Sequence, residues 1–165
     1  MQLYLCRHGE AIDGSDEIGD EERWLTREGR KGAAQVANVL LQQGDVPDLI
    51  LTSPLVRAVQ TADGFAFALQ YAGAVEVLHS LGTRGQLGGV LAALQSLPPQ
   101  VRRVFLFGHE PQMGEWSAAL IGRASLGRVF QKGGVLRIDW SMWPERGSGQ
   151  PRFYLSPHQL QPVPG

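Results

Sequence analysis

Three short, unbroken apolar runs, Leu3-Tyr4-Leu5-Cys6, Leu49-Ile50-Leu51 and Val104-Phe105-Leu106-Phe107, constrain this chain more than any other feature. A strand with one wet face alternates apolar and polar residues. A strand that is apolar at every position needs cover on both faces, the environment of a parallel sheet between layers of helix. The intervening segments supply those helices. After Thr26, residues Ala33, Val36, Ala37, Leu40 and Leu41 fall on one helical stripe, which Gly44 is placed to end. Ser53-Pro54 reads as an N-cap followed by proline at the first helical position, and Leu55, Ala58, Val59, Ala62, Ala66 and Leu69 continue one face. Further helices are predicted from Gln86 to Leu97, stopped by Pro98-Pro99, and from Pro111 to Ile121.

The last third changes character. Val135 to Trp140 alternates apolar and polar residues, and the Gly/Pro/Ser-rich stretch from Pro144 to Pro151 leads to a second strand around Phe153-Tyr154-Leu155. The predicted fold class is therefore α/β, a three-layer α/β/α arrangement whose mostly parallel sheet carries an antiparallel edge hairpin. A length of 165 residues suits one domain spanning the whole chain, and 43% hydrophobic residues supply its core. The formal net charge of −1 provides no global field for nucleic acid or an acidic membrane, so neither partner is expected and any anion site has to be local. Cys6 stands alone, which excludes an intramolecular disulfide. Leu3 to Cys6 is too short for a signal-peptide core, and no run reaches the roughly 18 apolar residues of a membrane span. A cytoplasmic protein is the expectation; the oligomeric state is not legible.

In open α/β sheets, ligands bind beyond the carboxyl ends of the strands. The first strand ends in Arg7-His8-Gly9, the second in Ser53-Pro54 with Arg57 one turn further on, and the Val104 run in Gly108-His109-Glu110. Taken singly, a histidine at a strand end is usually a hydrogen-bonded structural residue, and an arginine in a first helical turn usually lies on the surface. Their joint delivery by three strand ends is what points to a phosphoryl group: guanidinium forks bind phosphate oxygens bidentately, and a neutral imidazole is a nucleophile. Gly9 and Gly108 leave bare backbone beside the histidines. A metal site built from His8, His109 and Glu10 or Glu110 is the competing arrangement, disfavoured because adjacent guanidiniums repel a divalent cation. No metal and no cofactor are expected.

Other features have plainer readings. The acidic stretch from Glu10 to Glu22 is a solvated loop whose charge opposes small free polyanions, with partner docking or substrate gating as its functional alternative. Trp24, Trp116, Trp140 and Trp143 are expected in core or hairpin packing, Cys6 as a buried inert residue, and His158 on the surface. Thr83-Arg84-Gly85 is a candidate rim element.

Arg7-His8-Gly9 after the first strand, Leu25-Thr26 with Gly29, Ser53-Pro54 with Arg57 and Gln60-Thr61, and Gly108-His109 together resemble the histidine phosphatase (phosphoglycerate-mutase-like) superfamily. Within it, the length, the lack of an inserted cap, and the segments Phe105 to Gly114 and Leu155-Ser156-Pro157 are similar to the small phosphohistidine phosphatases of the SixA type. The resemblance implies a phosphoglycerate-mutase-like fold. It also implies a cofactor-independent phosphatase in which His8 takes the phosphoryl group while Arg7, Arg57 and His109 surround its oxygens and Gly9 lines the binding site. Many members carry a glutamate after the third strand that protonates the leaving oxygen. The segment Val77 to Leu81 offers no carboxylate there, leaving Glu10, Glu110 or His79 as substitutes. A missing acid penalises alkoxide leaving groups more than imidazole, so a phosphohistidine-bearing signalling or phosphotransfer protein is the expected substrate. The alternatives are a hydrolase of small phosphate monoesters and a weakly catalytic phosphoprotein-binding module.

Overall fold

A computed structural model describes residues 1–123 and 129–164. The elements in chain order are β1 (Gln2–Arg7), α1 (Arg27–Gln42), β2 (Leu49–Thr52), α2 (Val56–Ala68), β3 (Val75–Val77), α3 (Leu87–Gln95), β4 (Arg103–Gly108), α4 (Gln112–Ile121), β5 (Val135–Asp139), β6 (Gln150–Ser156) and β7 (Gln159–Pro164). All seven strands join one sheet in the order β3-β2-β4-β1-β5-β6-β7. The pairs β2·β3, β2·β4 and β1·β4 are parallel, and β5, β6 and β7 continue the sheet antiparallel.

The unbroken apolar runs are explained by burial on two sides. Leu3, Leu5, Leu49, Leu51, Val104 and Leu106 pack with Val90 and Leu94 of α3 and Trp116 and Leu120 of α4. The alternate residues Tyr4, Cys6, Ile50, Phe105 and Phe107 pack with Val36 and Leu40 of α1 and Phe65 of α2. Each large side chain so enclosed contributes about 1.5–3 kcal/mol, so a polar residue at any of these strand positions would forfeit cover on one face. The Tyr4 and Phe105 rings stack at 4.1 Å across the β1–β4 pair. Cys6 is fully buried in this layer, where burial pushes its thiol pKa up and leaves it unreactive.

Two expectations change. The antiparallel edge is a three-stranded meander, because β7 pairs with β6 beyond the predicted hairpin. Pro162 has no N–H to donate to a ladder, and β7 is the outermost strand, where that is tolerated. Trp116 and Trp140 are buried and Trp143 half-buried, but Trp24 is 42% exposed beside the acidic loop, where its carbonyl accepts the Ile12 N–H at 3.0 Å. Among the described residues no helix is long and apolar enough to cross a membrane.

Candidate active site

The sheet register brings the predicted residues together. β4 lies between β1 and β2, with Cys6 and Thr52 both opposite Phe107 and Arg7 opposite Gly108. The ladder carries one residue further on each side: the His8 N–H donates to the Gly108 carbonyl at 3.0 Å, and the Ser53 N–H to the Phe107 carbonyl at 2.9 Å. The three chains therefore leave the sheet at one level. His8 and His109 emerge with ring centroids 5.1 Å apart. Arg57, in the first turn of α2, directs its Nε to His8 Nε2 at 3.4 Å. Arg7 anchors one terminal nitrogen on the Phe130 carbonyl at 2.5 Å, while its Nε is buried without a protein partner.

The remaining motif residues fasten this arrangement. The Gly9 N–H donates to Thr61 Oγ1 at 3.0 Å, the Thr61 hydroxyl donates to the Arg57 carbonyl at 2.6 Å, and the Leu25 N–H donates to Gln60 Oε1 at 2.8 Å. One turn of α2 thus holds both the Arg7-His8-Gly9 corner and the loop entering α1. A side chain at Gly9 would meet the Gly29 carbonyl at 2.9 Å, and one at Gly29 would collide with the Glu10 backbone, so this corner closes only with two glycines. Thr26 caps α1 by accepting the Gly29 N–H at 3.0 Å. Ser53, by contrast, is not the cap of α2, which begins at Val56 after Leu55. Its hydroxyl oxygen accepts the Leu55 N–H at 3.3 Å and lies 2.7 Å from His109 Nε2.

Hydrogen bonding sets the proton position on His8. The Gly9 carbonyl is 2.7 Å from His8 Nδ1 and can only accept, so Nδ1 carries the proton and Nε2 keeps its lone pair. Ser53 Oγ, which also accepts the Leu55 N–H, hydrogen-bonds His109 Nε2 and can serve as donor or acceptor there. His109 Nδ1 is buried and has no protein partner. A buried polar atom left unpaired at a strand end is a place for a ligand atom. Burial lowers the pKa of His8 to about 4, with Arg57, Arg7 and Arg23 adding to the effect against the Gly9 hydrogen bond. Burial, then the charge of His8, lowers that of His109 to about 3. Both rings are neutral at pH 7. An NMR titration assigned with single His variants is expected to show both imidazoles protonating below pH 5; a midpoint near 6.5 for either contradicts this geometry. Because the folded pKa values lie below the unfolded value, the unfolded chain binds more protons. The associated stability is complete above about pH 6.5 and is lost as pH falls toward about 4 for His8 and about 3 for His109.

Two residues that the motif reading did not single out belong to the site. Asp20, in a short 3-10 turn over Asp20–Glu22, meets the outer edge of Arg57: Arg57 Nη2 donates to its carboxylate at 3.0 Å and Nη1 to its carbonyl. Arg23 clamps the same carboxylate at 2.9 Å and donates from Nε to the Ile12 carbonyl at 2.7 Å. The acidic loop is thus tied to the site at this point. No sequence pattern selects Asp20 among its neighbouring carboxylates; only the path of the loop does. The carboxylates weighed as substitute acids or metal ligands are engaged elsewhere. Glu110 accepts the Phe130 and Gly114 N–H groups, and Glu10 accepts the Thr26 hydroxyl at 3.2 Å. His79, Thr83 and Arg84 line a groove of about 690 Å³ that starts at Asp20 and Glu21. His158 is exposed.

Comparison with known proteins identifies the family. The family model for the histidine phosphatase superfamily (branch 1) matches residues 3–83, the span from β1 through the groove. An uncharacterized protein of Picosynechococcus sp. is 39% identical over 141 residues, 84% of each chain. Phosphohistidine phosphatase SixA of Escherichia coli is 35% identical over 162 residues, 98% of this chain and 97% of its own. The structure of the protein histidine phosphatase SixA complexed with tungstate superposes with a TM-score of 0.86 at 30% identity, covering 98% of this chain and all of that one. With the strand-end cluster and a near-complete match in both sequence and fold, the chain belongs to the histidine phosphatase superfamily and has a SixA-like architecture.

Proposed function

We propose that this protein is a phosphatase that removes the phosphoryl group from phosphohistidine on another protein through a covalent intermediate at His8, needing neither metal nor cofactor. The observation that carries the reading is the pairing of a neutral His8, its Nε2 lone pair aimed at Arg57, with the unpaired Arg7 Nε donor and the unpaired His109 Nδ1 beside it. In the first step His8 Nε2 forms a bond to phosphorus as the bond to the leaving nitrogen breaks, its electron pair departing with the leaving imidazole. Arg7, Arg57 and His109 stabilise the charge on the equatorial oxygens, and the Gly9 backbone fixes the His8 tautomer. In the second step a water oxygen attacks phosphorus, the His8 N–P bond breaks with its electron pair returning to Nε2, and the product leaves as dihydrogen phosphate carrying both water protons. The tungstate in the SixA structure, a tetrahedral oxyanion, supports a site of this charge.

The preference for phosphohistidine is supported by what the site lacks. The carboxylate that reaches the catalytic guanidinium, Asp20, is held ionised because Arg23 and Arg57 lower its pKa, so it is a poor proton donor. General acid catalysis is worth about 10²- to 10⁴-fold, and an alkoxide leaving group forgoes it here. A phosphoimidazole protonated on its other nitrogen departs as neutral imidazole and does not need it. The described chain carries no cap over the groove, and we read it as a single domain whose open mouth admits a side chain displayed on a protein.

Rates on a phosphohistidine protein, a phosphoserine peptide and a sugar phosphate test the assignment. The expected kcat/KM on phosphohistidine exceeds the other two by about 10²-fold or more. A sugar phosphate that outruns it would make the protein a small-monoester hydrolase instead. Tight binding of phosphoprotein without turnover would make it a recognition module.

A further inference from the structure

The outer edge of Arg57 is the face a bidentate phosphoryl group would use, and in the resting chain Asp20 occupies it. Arg57 is 4% exposed, and each of its three donor nitrogens has a partner: Nε faces His8, while Nη1 and Nη2 both bond Asp20. The Asp20 carboxylate holds Nη2 and its main-chain carbonyl holds Nη1, so a phosphoryl group that uses this edge competes with the carboxylate for Nη2. Asp20 is also kept in place from its far side, since its second oxygen is bonded by Arg23, itself tied to the Ile12 carbonyl. We infer that Asp20 is an internal competitor for the phosphoryl position and, through that competition, a specificity-determining residue that disfavours free phosphate and small phosphate esters. The inference rests on the phosphatase reading of the site.

Discrimination follows from where each ligand obtains its binding energy. A free oxyanion touches only the phosphoryl position, so the whole cost of displacing the carboxylate falls on its affinity. A protein-borne phosphohistidine also contacts the groove that leads away from Asp20 past Pro54, Ser80, Thr83 and Arg84, and those remote contacts offset the displacement. After displacement Asp20 keeps its bond to Arg23, so the loop need not unfold. The product, inorganic phosphate, is held no more tightly than any other small anion, which keeps product inhibition weak.

Asp20→Asn preserves the shape of the side chain while removing its charge, and Asp20→Ala removes both. The residue is 57% exposed, so both variants are expected to fold with an unchanged melting temperature. Two readouts apply: the affinity for sodium tungstate by calorimetry, and the inhibition constant of inorganic phosphate against p-nitrophenyl phosphate hydrolysis. The tungstate dissociation constant and the phosphate inhibition constant should each fall by about tenfold in each variant, meaning tighter anion binding, the size expected from loss of one charge-assisted hydrogen bond. Selectivity for a phosphohistidine protein over p-nitrophenyl phosphate should fall with them. Unchanged or weaker anion binding in both variants overturns the inference. If the wild type neither binds tungstate nor hydrolyses either substrate, the phosphatase reading fails and this inference falls with it. If the wild type does both and the variants match it, only the role of Asp20 is lost.

Discussion

In His8→Ala, phosphoenzyme disappears and kcat falls by at least about 10⁴-fold, a loss of the size seen when a covalent nucleophile is removed and only binding and charge stabilisation remain. The measurement is a rapid quench of labelled phosphoprotein into alkaline denaturant, where a nitrogen–phosphorus bond survives, followed by counting label on the protein. Wild type is expected to carry label that turns over, and His8→Ala none. The wild-type assignment rests on Nε2 being the free nitrogen, since Nδ1 is committed to the Gly9 carbonyl. His8→Gln serves as the companion variant: its amide can still donate to that carbonyl, yet it has no imidazole lone pair. Both variants should retain oxyanion affinity, because Arg7, Arg57 and His109 remain. Label persisting in His8→Ala would assign the nucleophile elsewhere.

Arg57→Ala produces the second large effect, a decrease in kcat/KM of about 10²- to 10³-fold, comparable with removal of one preorganised donor at a developing charge. Three consequences follow from its contacts. The transferring oxygens lose a bidentate partner. Asp20 loses the guanidinium that ties the acidic loop to the site. His8 loses a nearby positive charge that helps keep its pKa low, so its titration midpoint should move upward from about 4. Arg57→Lys separates charge from geometry: a point charge cannot contact His8 and a phosphoryl group with the same planar fork, so recovery should be partial, within about tenfold of the alanine variant. Full recovery by lysine would mean that only the local charge matters and would remove the bidentate contact from the mechanism.

Much of the fold is legible in the sequence because the parallel strands announce themselves locally. Leu3 to Cys6, Leu49 to Leu51 and Val104 to Phe107 are apolar at consecutive positions, and the structure buries them on both faces. The stripe from Ala33 to Leu41 became α1, with Thr26 as its cap. Less legible was β7, whose prolines suppress a strand signal that an outermost position does not require. Ser53-Pro54 carries the local signature of a helix start, yet the Ser53 hydroxyl serves His109 from a strand end 56 residues away in sequence. A propensity argument sees only chain neighbours and cannot weigh that contact.

The site divides in the same manner. The juxtaposition of Arg7, His8, Gly9, Arg57 and His109 was readable because each lies at a strand end or within the first turn of the helix after it, and parallel register carries those ends to one edge of the sheet. The pairing of Asp20 with Arg57 and Arg23 was not readable. The acidic loop holds several carboxylates of equal local standing, and nothing in their order distinguishes the one that touches a buried guanidinium.

By itself the amino-acid order determined the layering, the strand ends and the cationic residues gathered there, since hydrophobic periodicity and parallel pairing act over a few residues at a time. The tertiary structure alone decided the tautomer of His8, the burial that keeps both histidines neutral, and the carboxylate that meets Arg57. Those properties depend on distances between atoms far apart along the chain, and Coulombic and hydrogen-bond energies change steeply over a few ångströms.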